Sequence, residues 1–206
     1  RYREFTLTLI LSVLMFGVMI GIETVLPIYV QNVRGGSALE SGIILLPGAI
    51  LTGAMAPVAG KIYDKFGVRG ITIAGFCMML AGVLLYLTMG MNTSFIIVAV
   101  IFCTEMLGFS LLMTPLMTAG INALPFHLIA HGTAMSNTIR TVGASIITAI
   151  VVSVMSTFAA ISDAANPPGA MLEGMHAAFA AAGILLLAGL GMSFSLRKKA
   201  GQNQAE

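Results

Sequence analysis

The 206-residue chain has no tryptophan, two cysteines and charge on only 9% of its residues, against 58% hydrophobic. Water-soluble domains carry charge on about a quarter of their positions, so this scarcity excludes an ordinary soluble fold and points to a bilayer as the main solvent and partner. Cys77 and Cys103 lie within apolar runs, which excludes a disulfide framework and reads as two buried small hydrophobes. The chain also lacks a metalloprotease helix motif, a serine elbow, a phosphate-cradling glycine loop and a basic, aromatic platform for nucleic acid. The expectation is therefore no enzyme, no cofactor and no nucleic-acid partner. His127 and His131 have a spacing that metal sites use, but no acidic residue or cysteine nearby completes a set, and Pro125 and Gly132 indicate a loop. No metal site is expected.

What the chain does have is long apolar runs. Six can be marked, near 5–29, 40–59, 70–90, 95–118, 133–158 and 176–196, each long enough to cross about 30 Å of hydrocarbon as a helix. The expected fold is all-α, with six transmembrane helices and a short polar tail at 197–206. If the first helix starts inside, the inner segments carry Arg1, Arg3, Lys61, Lys65, Arg69, Arg197, Lys198 and Lys199, and the outer ones Arg34 alone. By the positive-inside rule both termini and the segment 60–70 are cytoplasmic. The stretch Ile161 to Gly169, with Asp163 and a double proline, reads as an outer loop, because proline blocks helix propagation. Residue 1 is Arg and no cleavable signal pattern precedes the first run, which reads as a piece of a longer polypeptide.

Polar groups divide the helices further. The third and sixth runs contain no ionisable residue in their apolar spans, whereas Glu23 lies in the first, Glu105 in the fourth and Arg140 in the fifth. An intramembrane charge normally faces a bundle interior or a wet cavity, so helices one and four are expected to line an aqueous path. Helices two and five are rich in small or helix-perturbing residues, including Gly48, Gly53 and Pro57, then Gly143, Ala144 and Ser145, which suit close helix contact. Cavity, interface, lipid, then the same order again, is the pattern of two structural repeats in one six-helix unit.

The one strongly charged island inside this apolar chain is Gly60-Lys-Ile-Tyr-Asp-Lys-Phe-Gly-Val-Arg-Gly70. Its three glycines suit a short, tightly turned, hydrated loop. The pattern Gly60, Asp64, Lys65, Gly67, Arg69 resembles the signature loop of the major facilitator superfamily of transporters. That resemblance implies that Asp64 contacts a helix of an opposing half and that the basic residues brace it, a contact broken when the transporter rocks. Leu26 to Pro47 and Gly132 to Ser145 are further similar to segments of fourteen-helix drug:proton antiporters of the EmrB/QacA type. This implies the C-terminal half of a multi-pass pump in a bacterial cytoplasmic membrane. Such a pump exports lipophilic or cationic compounds by alternating access, with a proton gradient as its energy source and an N-terminal half as its partner. The glycine-proline antiporter motif has no counterpart here, and Glu105 stands where such proteins often carry a basic residue. A metabolite transporter and a non-transporting membrane scaffold are the alternatives.

Candidate site residues follow. Glu105 lies roughly 15 Å into its helix by helical rise, where burial disfavours the charged form, making it a proton or substrate candidate. The other reading pairs it with Arg140 or Asn137, or with a backbone carbonyl, to fix packing. Glu23 is a second candidate, nearer the outer mouth. Arg140 is too deep for easy snorkelling and reads as a pairing or gating residue. Met15, Phe16 and Met19 with Met106, Phe109 and Met113 recur at spacings that suit an adaptable pocket wall or plain bundle core.

Overall fold

The computed structural model describes residues 3–162 and 166–196. The described residues are helical throughout, with no strand: α1 (Arg3–Ile28) running into a π-helical turn (Tyr29–Val33), α2 (Ala38–Tyr86), α3 (Phe95–Asn122), a 3-10 turn (Phe126–Leu128), α4 (Ile129–Ile161) and α5 (Pro167–Ser193). All five α-helices are long and apolar enough to cross a membrane. Arg1 and the tail 197–206 lie outside the described residues, as does Asp163.

The 49-residue α2 is not one rod. At 1.5 Å per residue it would extend about 74 Å, more than twice a hydrocarbon core. Gly67 breaks it, with φ 73 and ψ 172 inside an otherwise helical run. Only glycine adopts that conformation without a Cβ penalty. The expected loop over 60–70 is therefore corrected: the first limb stays helical to residue 66, the second starts at 68, and Gly60 and Gly70 keep ordinary negative φ. Lys61, Tyr63, Asp64 and Lys65 are tolerated in a helix, so one residue suffices to reverse the chain. The limb 38–66 opens on a capping box in which Ser37 accepts from the Glu40 amide and the Glu40 carboxylate from that of Ser37.

Side-chain neighbours give the directions. Gly48 lies against Phe102 and Met106, and Ser110 donates to the carbonyl of Thr52, so limb 38–66 runs parallel to α3. Gly75 meets Leu112 and Gly82 meets Glu105, so limb 68–86 runs antiparallel to it. Helix α1 is antiparallel to α3, with Thr8 beside Gly120 and Phe16 beside Phe109. It is parallel to α4, with Gly17 on Ile147 and Gly21 on Val151. Helix α5 returns along α4 and limb 68–86, placing Gly174 on Met155 and Gly189 on Phe76. The direction thus alternates at every step, and Arg3 and Ser195 line one hollow at the same end as Gly67.

Two helix starts differ from expectation. The sixth apolar run begins at Pro167 rather than near 176, because proline is tolerated at the first turn, where its missing N–H costs nothing. Asn166 caps it by accepting from the Gly169 amide. The fifth begins at Ile129, so His131 is helical and not in a loop. Cys77 is also corrected: it is exposed rather than buried, and Cys103 is half-buried, both as free thiols.

Burial is uneven. Limb 38–66 has four buried residues (Ser41, Ile44, Gly48, Ala59) and α4 five in 33, whereas limb 68–86 has nine and α3 thirteen in 28. The core therefore lies between α1, α3, limb 68–86 and α5.

Candidate functional site

Three glycines bring limb 68–86 and α3 close together. A Cβ at Gly82 would stand 2.9 Å from the Cα of Glu105, and Gly75 and Gly108 bring limb 68–86 and α3 into backbone contact lower down. Into this seam α3 places Glu105, wholly buried. Tyr86 Oη donates to its Oε2 at 3.0 Å, and the Tyr86 ring is stacked on Phe179 of α5 with centroids 4.8 Å apart. Glu105 Oε1 has no hydrogen-bond partner among the described residues. The expected cavity-lining position is thus corrected. Glu105 points into a close, buried contact with the third helical segment, and its partner is neither Arg140, Asn137 nor a backbone carbonyl but a tyrosine that sequence reasoning missed. Tyrosine at the end of an apolar run was the available signal, since a buried phenol seeks a partner.

Glu23 is exposed on α1. Arg140 donates to Asn137 Oδ1 at 2.9 Å, and its guanidinium lies 4.4 Å from the ring centroid of Phe16. Phe16 in turn meets Phe109 edge-on at 5.1 Å. Arg140 and Asn137 also line a small cavity of about 20 Å³ between α1, α3 and α4, together with Thr8, Ser12, Thr133 and Ser136. The methionine and phenylalanine stripe divides: Met15, Met106 and Phe109 are core, Phe16 and Met19 are half-buried, and Met113 is exposed. An apolar groove of about 560 Å³ lies nearby between α1 and the start of α4, with Leu128, Met135 and Ile139 on its wall.

At the Gly67 end, Asp64 and Lys65 are exposed. Arg69 lies over the ring of Phe194, just past the last turn of α5, where a cation is also favoured by the helix dipole. At the opposite end three side chains converge on consecutive carbonyls of the 87–94 connection. His176 donates to Met89, Tyr29 to Gly90 and Arg34 to Met91, at 2.8, 2.7 and 2.8 Å. This clasp joins α1, α5 and the turn after α2. Sequence reasoning marked Arg34 as the lone outer cation and His176 as interfacial, but not their convergence with Tyr29. Among the described residues no group of His, Cys, Asp and Glu could hold a metal.

The comparisons with known proteins agree with this architecture. Residues 1–148 match the family model described as Major Facilitator Superfamily. The uncharacterized MFS-type transporter YcnB of Bacillus subtilis is 48% identical over 96% of this chain and 42% of its own length. The lincomycin resistance protein LmrB of the same organism is 30% identical over 96% of this chain and 43% of its own length. The multidrug resistance protein Stp of Mycobacterium tuberculosis is 25% identical over 63% and 24%, respectively. The chain belongs to the major facilitator superfamily, a family of membrane transporters rather than enzymes. It spans less than half the length of these relatives.

Proposed function

We propose that the chain is the C-terminal six-helix half of a fourteen-helix efflux pump in the bacterial cytoplasmic membrane, exporting lipophilic or cationic compounds in exchange for protons. The observation that carries this reading is the pair of thinly buried segments, limb 38–66 and α4. Both expose apolar residues, Leu46 and Ile50 on one and Val142 and Ile146 on the other, and both are rich in small residues that suit contact with another helix. A second half of the polypeptide covers them, and rocking of the two halves exposes a central path to each side in turn.

The alternating directions support a reading of six crossings once α2 is counted as two limbs, with the Gly67 end on the cytoplasmic side. Lys61, Lys65 and Arg69 on that side satisfy the positive-inside rule. The resistance named for LmrB and Stp supports drug-like cargo. The test is efflux from inverted vesicles holding the full-length polypeptide, with lincomycin and a lipophilic cationic dye as probes, with and without an imposed proton gradient. Gradient-dependent export supports the pump. Transport of neither probe, with the protein correctly inserted, contradicts it.

A further inference from the structure

Among the described residues Glu105 is a carboxyl with one hydrogen-bond donor and no counter-charge. The titratable groups acting on it are Tyr86 from limb 68–86 and Glu23 from α1. Cys103, on α3 itself, acts on Tyr86, and α5 contributes the apolar ring of Phe179. None is a cation. An ionised carboxylate so placed would be desolvated and unpaired, which folded proteins avoid by keeping the group neutral. With Oε2 accepting from Tyr86, Oε1 is the oxygen left to take the proton when the acid is neutral.

Losing that proton requires water, and in the closed seam Oε1 is shut off from solvent. Even a methyl group on Gly82 would collide with the backbone of Glu105. Water reaches the carboxyl only when limb 68–86 separates from α3. We propose that Glu105 is a proton-binding site whose occupancy is coupled to the spacing of these two helices, with Tyr86 as its positioning residue. On opening, water hydrates the carboxyl, the proton leaves Oε1 for water and the carboxylate keeps the bonding electron pair; closure reverses the step. By linkage, whatever binds only the closed state stabilises it. The binding of the proton rests on this packing alone. Its consequence, that the coupling ion travels off the drug path and inside one half, rests on the pump reading.

The test uses the full-length protein with its native cysteines replaced and spin labels at Leu84→Cys and Val100→Cys, both exposed positions on the two helices. In the wild-type background the label distance should widen as pH rises, and Glu105→Gln, neutral at every pH, should hold the closed distance throughout. Infrared difference spectra of the same titration should show a protonated carboxyl signal that Glu105→Gln lacks. A pH-independent distance in the wild type, or widening that persists in Glu105→Gln, overturns the proposal. In vesicles, Glu105→Gln should lose gradient-driven export yet keep substrate exchange, and full gradient-driven export by this variant overturns the coupling role. Failure of the wild type to export either probe contradicts the pump reading while leaving the distance result intact.

Discussion

The seam around Glu105 and the open face of limb 38–66 are built from the same residue types and use them in opposite ways. Gly75, Gly82 and Gly108 press two backbones together, so each added atom meets a neighbour; Gly42, Gly53 and Gly60 face open space with nothing within 4 Å of a Cβ. The difference teaches that a glycine in this chain does not by itself mark a helix contact within the half. In the seam the contact is made here; on the open face it is left for something else.

Substitutions can break or sharpen that contrast. The largest effect belongs to Gly108→Ala, whose Cβ would run into the backbone of Met79 and the carbonyl of Gly75. Backbone cannot yield as a flexible side chain does, so the cost reaches or exceeds the roughly 1–3 kcal/mol of ordinary overpacking, read as a lower thermal midpoint of the purified protein. Gly67→Ala comes next, at about 1–3 kcal/mol for forcing a Cβ into a positive-φ, extended-ψ conformation that is essentially reserved for glycine. Helix directions downstream of it should stay the same if the protein survives. Tyr29→Phe removes one bond of the outer clasp and should cost about 1 kcal/mol, visible as faster amide exchange in the 87–94 connection. Smallest is Gly53→Ala. Within this half it meets nothing, so its helix propensity should leave stability unchanged or raise it by up to about 1 kcal/mol, while transport falls if the opposing half packs there.

Much of the architecture was legible because bilayer solvation writes it into composition. Apolar runs of the right length and the one-sided placement of Lys61, Lys65 and Arg69 do not depend on knowing any contact. The expected loop at 60–70 was too long because three glycines look alike in sequence, and only the backbone tells which one turns; Gly67 does, and Gly60 and Gly70 do not. The start of α5 was set too late because a double proline reads as a breaker unless its place in the first turn is known. The site was less legible than the fold. Glu105 stood out as an intramembrane acid, but which way it faces depends on rotation about the helix axis. Gly75 and Gly82 on a neighbouring segment fix that rotation, and within α3 only Gly108, one turn from Glu105, marks the same face. Arg140 was placed among pairing residues and does meet Asn137, one turn away on its own helix, yet its stacking on Phe16 comes from α1 and has no local signature.

The most direct measurement compares lipid access at four positions in the full-length polypeptide in membranes. Single cysteines replacing Ile50 on limb 38–66 and Val142 on α4, and Ile184 and Leu187 on α5, all exposed in this half, are labelled and probed with a lipid-soluble quencher. The account predicts that the labels at 50 and 142 are shielded from the bilayer by an opposing half and that those at 184 and 187 are quenched. Equal quenching at all four positions would contradict it, because the open faces would then be lipid surfaces and not an interface.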